Sequence, residues 1–349
     1  MAIKTAPIKT CLVGYGNAGK TFHSPLIDAA PSLHLAAVVS TRPEAVHANW
    51  PDVAVIADFD TLLADPSIEL VVIATPNPLH APQAIAALKA GKHVVVDKPF
   101  AVDAREAQAI ADAAKASGKV CVAFQNRRWD SHVLTFKRLL DEGRLGDVAE
   151  VFLRYDRLRP VVPTRWRDQD LPGSGMLYDL GAHLVDQAVF FFGKPDWIMA
   201  DVFAQRPEAL VPDYFNLILA YGRTRVIVHS CMIDAVPGAV IEAQGTKGVF
   251  IKHGLDTQEA ALMAGGRPKD AGFGADPSAA VFTPVNGLAV GTPETVTCGP
   301  GDYVAYYEAV AATIRGEAPT PVPLEQSLLV MRILDLALQS AKAGKRLEV

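Results

Sequence analysis

Ile8-Lys9-Thr10-Cys11-Leu12-Val13-Gly14-Tyr15-Gly16-Asn17-Ala18-Gly19-Lys20 is the stretch from which the fold can be read. The apolar run Cys11-Leu12-Val13 reads as a buried strand, the glycines as a tight turn, and the residues up to about Ala30 as a helix. Because 26 glycines are spread through the chain, the order strand, turn, helix carries more weight than the glycines themselves. Gly14, Gly16 and Gly19 hold the three positions of G-x-G-x-x-G. In that pattern the first glycine allows the turn, the second lets the backbone approach a pyrophosphate, and the third lets helix and strand pack closely. Free N–H groups at the helix start then face the anion. A second apolar strand, Leu35-Ala36-Ala37-Val38-Val39, follows about 20 residues on, the spacing of a dinucleotide-binding βαβ unit.

Outward from this turn, short apolar runs at 53–57, 70–74, 93–96 and 119–123 alternate with helical patterns. Runs that are apolar at consecutive positions suit strands covered on both faces, and their alternation with helices implies a parallel sheet. Residues 78–90 and 103–117 read as helices closed by Gly91 and Gly118. After Phe124 the pattern changes to a helix at 131–142 and strands near 148–154, 198–204, 215–221, 225–230, 240–244 and 249–252. Two helices, 303–315 and 324–343, close the chain, and residues 254–300, rich in Gly, Pro and Ala, resist assignment. The expected fold class is α/β. A doubly wound Rossmann domain over residues 1–124 precedes an α+β domain over 125–349 with a large, mostly antiparallel sheet. An apolar face left on that sheet would be a natural subunit surface, so a homodimer or homotetramer is expected.

Half of the 349 residues are hydrophobic, which suits two packed domains, and the net charge of −5 provides no basic field for nucleic acid or an anionic membrane. A small-molecule partner is expected. The four cysteines, Cys11, Cys121, Cys231 and Cys298, are scattered without a C-x-x-C pair, and two of them lie in apolar runs as buried thiols do. With no signal-like N-terminus and no run near the roughly 18–20 apolar residues that span a bilayer, a cytoplasmic location is expected.

Open α/β sheets bind ligands beyond the carboxyl ends of their strands. The second strand ends in Ser40-Thr41-Arg42, hydroxyls and a guanidinium where an acid would bind a ribose 2′-hydroxyl, which favours NADP(H) over NAD(H). Arg42 also fits a solvated loop charge before Pro43. The fourth strand leads into Thr75-Pro76-Asn77-Pro78-Leu79-His80, a possible floor under ribose and nicotinamide, although His80 also suits a cap on the next helix. The fifth ends in Asp97-Lys98-Pro99, which puts an ammonium where an oxygen changes charge, or else a lysine paired with a nearby carboxylate. In the second domain a glycine loop runs into a helix bearing Asp179 and His183 at i, i+4. Sharing a face, the carboxylate orients an imidazole whose ordinary pKa near 6.5 suits proton transfer. A simple turn-closing pair and a metal site made with Asp186 are the competing readings; no second His or Cys pair supports the metal.

Together these stretches resemble the Gfo/Idh/MocA family of NAD(P)-dependent sugar and polyol oxidoreductases over nearly the whole chain. The resemblance rests on the glycine fingerprint, on Ala90-Gly91-Lys92-His93 followed by Asp97-Lys98-Pro99, where Asp97 replaces the family's Glu, and on Asp179-x-x-x-His183. It implies a Lys98-Pro99 bond that is often cis. Gln125 to Asp130, Thr164 to Arg167 and Tyr178 to Gln187 look most like the bacterial NADP-dependent scyllo-inositol dehydrogenase subgroup. The resemblance implies hydride transfer between a cyclic polyol or sugar alcohol and its ketone, with catalytic Lys98, Asp179 and His183. The implied cofactor-binding set is Gly14, Tyr15, Gly16, Asn17, Ala18, Gly19, Ser40, Thr41, Arg42, Thr75, Pro76, Asn77, His80, Lys98, Asn126 and Trp166, with no metal. A sugar-ketone reductase and an NAD-preferring sugar dehydrogenase are the other enzymes implied. A non-catalytic dinucleotide-binding regulator, like the yeast galactose-regulon repressor that resembles this family, is the rival class. Arg154, Arg157, Arg159, Arg165 and Arg167 crowd the region before the glycine loop. Either an acidic substrate or salt bridges to Asp156, Asp168 and Asp170 would account for them.

Overall fold

The opening run forms β1 (Ile8–Val13), in which only Lys9 is exposed, as expected of a strand covered on both faces. The computed structural model describes residues 6–349. β1 lies inside a six-stranded, wholly parallel sheet with β2 (Leu33–Val39), β3 (Ala54–Ile56), β4 (Leu70–Ile73), β5 (His93–Val96) and β6 (Cys121–Ala123), in the order β3-β2-β1-β4-β5-β6. The order reverses between β1 and β4, which opens the crevice at the strands' carboxyl ends where such sheets bind ligands. The helix after the glycine turn spans residues 17–29 and contains a π-turn, Gly19–His23, before α1 (Ser24–Ala29). Also in this unit are α2 (Pro43–His47), α3 (Phe59–Ala64), α4 (His80–Lys89) and α5 (Ala104–Ser117). The Asp103 carboxylate caps α5 by accepting the Glu106 N–H at 2.7 Å, and Gly118 closes it at φ +66°.

The second unit carries α6 (Ser131–Asp141), α7 (Ala182–Phe192) and a ten-stranded sheet. Its strands are β7 (Val148–Arg154), β8 (Trp197–Phe203), β9 (Tyr214–Tyr221), β10 (Thr224–Ser230), β11 (Ile241–Gly245), β12 (Gly248–Lys252), β13 (Ala280–Asn286), β14 (Ala289–Val290), β15 (Glu294–Val296) and β16 (Leu347–Glu348). All pairings are antiparallel except β7 with β10. Alternation buries Leu217, Leu219, Val226, Val228, Val151 and Leu153 on one face. There Phe136 of α6 packs on Phe191 of α7 at 4.9 Å and on Phe250 of β12 at 5.4 Å between ring centroids. The other face leaves Met199 and Phe203 more than 40% exposed.

Residues 254–300, unreadable from composition, hold α8 (Gln258–Met263), β13 and the short edge strands β14 and β15 that pair with it. α9 (Tyr303–Ile314) and α10 (Leu324–Ala343) follow. A single cut between residues 124 and 125 does not describe how the chain packs. The first unit comprises the residues up to Asn126 together with Thr257–Phe273 and Asp302–Leu324, and the rest forms the second. Polar contacts account for the return. Glu308 of α9 accepts from the N–H and hydroxyl of Ser32 at 2.9 and 2.8 Å, ahead of β2, and Gln258 accepts the Tyr303 N–H at 2.7 Å. Among the described residues no helix is long and apolar enough to cross a membrane.

All four cysteines are free. Burial pushes the thiols of Cys11 and Cys121 up to about 12, so neither forms the reactive thiolate near neutral pH. In the native protein at about pH 8 both are expected to resist Ellman's reagent, and to titrate fully only after denaturation; rapid labelling of either in the native state would contradict the packing of β1 and β6.

Candidate active site

At the end of β1, Gly14 adopts φ +95°, and a Cβ there would sit 2.7 Å from the Ala74 carbonyl oxygen at the end of β4. A Cβ on Gly19 would collide with the Gly14 carbonyl. These two glycines are therefore required by the protein's own backbone. Gly16 is different: it is exposed, and a Cβ there would meet no protein atom within 4 Å. Packing gives no reason for a glycine at that position, whereas the close approach of a pyrophosphate does, so the turn fits a dinucleotide. Asn17 is exposed and Ala18 partly so, but the Tyr15 side chain is buried, leaving its backbone at the turn.

Beside the turn, Arg42 donates through Nη2 to the Tyr15 carbonyl at 2.9 Å, and its N–H donates to Ser40 Oγ at 3.1 Å. Ser40 is half-buried and Thr41 exposed. A guanidinium has five N–H donors, so one bond to Tyr15 aims the group and leaves others for a ligand. On the same edge Thr75 donates its hydroxyl to Gln83 at 2.8 Å, Pro76 is exposed and Asn77 is buried. His80 is almost wholly buried, with Nδ1 2.8 Å from the Pro99 carbonyl and Nε2 2.8 Å from the Thr75 carbonyl. Burial holds its pKa below the ordinary histidine value, against the opposing pull of Asp97 and the two carbonyls. Neutral, the ring donates to one of these carbonyls and only touches the other, between the loops after β4 and β5.

β5 delivers Asp97 and Lys98 to this edge, and the Lys98–Pro99 bond is cis. Asp97 Oδ1 accepts the Lys98 N–H at 2.8 Å. Burial would raise the Asp97 carboxyl, but His23, and then the Lys98 ammonium, hold it below the usual carboxylate range. His23 sits in the π-turn, fully buried, 3.6 Å from Asp97 through Nε2 and 2.6 Å from the Tyr307 hydroxyl through Nδ1. Neither His23 nor Tyr307 stands out in the sequence, since 284 residues separate them and nothing local marks the pair. Asn126, at the end of this unit, is buried.

The second unit holds the other expected residues. Asp179 lies in a π-turn, Leu177–Gly181, and His183 in the first turn of α7, so a π-turn interrupts the helix at the i, i+4 pair. Arg167 Nη1 lies 3.0 and 2.9 Å from the two Asp179 carboxylate oxygens. The arginine-rich segment is thus divided: Arg165 pairs with Asp168 at 2.8 Å, Arg167 with Asp179, and Arg154 approaches Glu242 at 3.8 Å. Asp156 pairs instead with His229 at 3.4 Å. Trp166, half-buried, lies under the Arg167 guanidinium at 5.9 Å. Asp186 is held by Arg128 through Nε at 2.8 Å and Nη2 at 2.7 Å, a bidentate pair that engages both carboxylate oxygens. Burial pushes the Asp186 carboxyl up, and the charge and hydrogen bonds of Arg128 oppose that. This pair ties the 126–129 turn to the helix that carries His183.

Known proteins resemble the chain in sequence and in fold. The NAD-binding Rossmann-fold model of the GFO/IDH/MocA oxidoreductase family matches residues 8–125, and that family's C-terminal alpha/beta-domain model matches residues 137–349. The chain is 45% identical to the oxidoreductase YdgJ of Escherichia coli over 96% of each. It is 38% identical to the scyllo-inositol 2-dehydrogenase (NADP(+)) IolW of Bacillus subtilis, over 97% of this chain and 95% of that one. The solved structure of the Bacillus subtilis oxidoreductase yvaA superposes with a TM-score of 0.95 at 37% identity, covering 99% of both chains.

Two outcomes follow from the packing. Gly19→Ala is expected to lower the melting temperature and abolish dinucleotide binding, while Gly16→Ala weakens binding with the melting temperature unchanged; calorimetry and cofactor titration read the two. Arg128→Met, which leaves a buried carboxylate uncompensated, is expected to cost on the order of 3–5 kcal/mol in urea unfolding.

Proposed function

The chain belongs to the Gfo/Idh/MocA oxidoreductase family and is a nicotinamide-dependent dehydrogenase or reductase; from that premise we propose that it interconverts a ring alcohol of a cyclic polyol, of the scyllo-inositol type, and the corresponding ketone, with NADP(H) preferred. What carries the reading is Lys98, which leaves the carboxyl end of β5 on the same sheet edge as the glycine turn. A bound nicotinamide dinucleotide supplies the hydride acceptor for oxidation, or the donor for reduction. His183 takes the hydroxyl proton as the alcohol is oxidised and returns it in the reverse direction. Asp179 orients and charge-stabilises the imidazole, and Arg167, paired with Asp179, limits how much negative charge it presents. The Lys98 ammonium steadies the substrate oxygen while its charge changes.

The NADP(H) preference is supported by the absence of an acid at residues 40–42, by an Arg42 aimed through Tyr15, and by the named cofactor of the Bacillus subtilis relative. Association of subunits through the second sheet is supported by its half-exposed face. Met199 and Phe203 lie there, with a recess of about 370 Å³ lined by Phe152, Arg154, Asn216, Ile227 and His229.

With scyllo-inositol and NADP+ as the assay pair, Lys98→Ala and His183→Ala are each expected to lower kcat by about 100-fold or more while cofactor still binds. Wild-type rates in both variants would refute the mechanism. Ser40→Asp is expected to lower the ratio of kcat/KM for NADP+ to that for NAD+ by tenfold or more, because its carboxylate repels a 2′-phosphate; an unchanged ratio removes Ser40 from cofactor selection.

A further inference from the structure

A buried polar cluster in the first unit adjoins Lys98, and the proposed chemistry has no direct use for it. Asp97, His23 and Tyr307 come from the end of β5, the π-turn after the glycine fingerprint, and α9. His23 and Tyr307 are fully buried, and Asp97 is nearly so. We propose that Tyr307, His23 and Asp97 form a buried positioning relay, in which the tyrosine hydroxyl fixes the imidazole tautomer, the imidazole holds the Asp97 carboxylate, and Asp97 sets the backbone and ammonium of Lys98. It rests on the reading of Lys98 as a residue that acts on the substrate oxygen.

The direction of the relay follows from donors and acceptors. An ionised carboxylate only accepts, so the His23 nitrogen that faces Asp97, Nε2, carries the proton. At 3.6 Å this is a polar contact longer than a hydrogen bond. The relay takes the imidazole with this single N–H, which makes Nδ1 an acceptor and the Tyr307 hydroxyl 2.6 Å away its donor. Burial, then Tyr306 and Asp97, push the Tyr307 phenol well above its ordinary value, so the proton to be donated stays in place. At the other end, Asp97 Oδ1 accepts the Lys98 N–H at 2.8 Å, which couples the carboxylate to the lysine's backbone as well as to its charge.

Aromatic packing fixes the ring between these partners. Phe124, just beyond β6, lies 4.2 Å from the His23 ring centroid at 45° and 5.8 Å from the Tyr307 ring. Tyr306 meets Phe124 edge-on at 5.0 Å and donates its hydroxyl to the Ala123 carbonyl at 3.0 Å. The imidazole therefore has little freedom to flip, and its two nitrogens keep their separate partners. Because His23 belongs to the helix that starts at the glycine turn, the same relay ties the dinucleotide-binding turn to the lysine loop. These are positioning residues: none of the three acts on the substrate except through Lys98.

Tyr307→Phe removes the hydroxyl and keeps the ring, and His23→Gln removes the imidazole. Melting temperature and circular dichroism establish that each is folded; the two variants serve as independent tests should either fail. Nitrogen-15 NMR of histidine-labelled full-length protein reads the tautomer, the His23 signals being those lost in His23→Gln. The expected wild-type signature is the Nε2–H tautomer, and in Tyr307→Phe that signature is lost. With scyllo-inositol and NADP+, both variants are expected to lose tenfold or more in kcat while KM and the NADP+ dissociation constant stay within twofold. An Nδ1–H signature in the wild type, an unchanged signature in Tyr307→Phe, or a kcat within twofold of wild type in the folded variants overturns the relay. Lys98→Ala with wild-type turnover refutes the role of Lys98 instead, and a wild type inert toward scyllo-inositol refutes the substrate; in both cases the NMR signature still decides the relay's tautomer.

Discussion

Two backbone contacts that no side chain would permit hold the first unit in its working form. The Gly14 carbonyl lies against Gly19, and the Gly14 Cα lies against the Ala74 carbonyl, so that β1, β4 and the following helix meet at one point. That point is where the strand order reverses, and the meeting opens the carboxyl edge of the sheet rather than filling it. Whatever else stands on this edge is placed relative to that contact: the Arg42 guanidinium through the Tyr15 carbonyl, His80 between two loop carbonyls, and Lys98 at the end of β5. A methyl group at either glycine would spread the strands and move every one of them.

Around that contact, charge is managed by burial and pairing. Asp97 stays ionised in a buried place because His23 and Lys98 offset the cost of desolvation. In the second unit Arg128 and Asp186 are both nearly inaccessible, and the bidentate geometry offsets a desolvation cost that neither would meet alone. α7, which carries His183, is held through Asp186, and the loop before it is tied through Arg167 to Asp179. His80, which sequence alone leaves between ligand contact and helix cap, stands buried between the Pro99 and Thr75 carbonyls.

Element by element, the parallel sheet was legible because its strands are covered on both faces and so read as unbroken apolar runs, as in Leu70–Ile73. β7 and α10 were legible to the residue, since alternation and helical periodicity are both strong there. Residues 254–300 were not: their elements are short, β14 has two residues and β15 three, and edge strands lack the buried alternation that marks a strand. The return of later segments to the first unit is not legible in sequence for a related reason. α8 and α9 look like part of whatever precedes them in the chain, and only contacts such as Ser32 with Glu308 assign them to the first unit.

What the sequence by itself determined is therefore whatever depends on residue type at short spacing. The glycine turn, the lysine at the end of β5 and the family follow from local chemistry and need no knowledge of the partners. Only the tertiary structure decided which charge meets which. Arg167 takes Asp179 rather than an aspartate nearby in sequence, Asp186 is claimed by Arg128 from 58 residues away, and His23 meets Tyr307 across 284 residues. Charged and polar groups are satisfied by proximity in space, and in a chain that leaves its first unit and returns to it twice, proximity in space bears little relation to distance along the sequence.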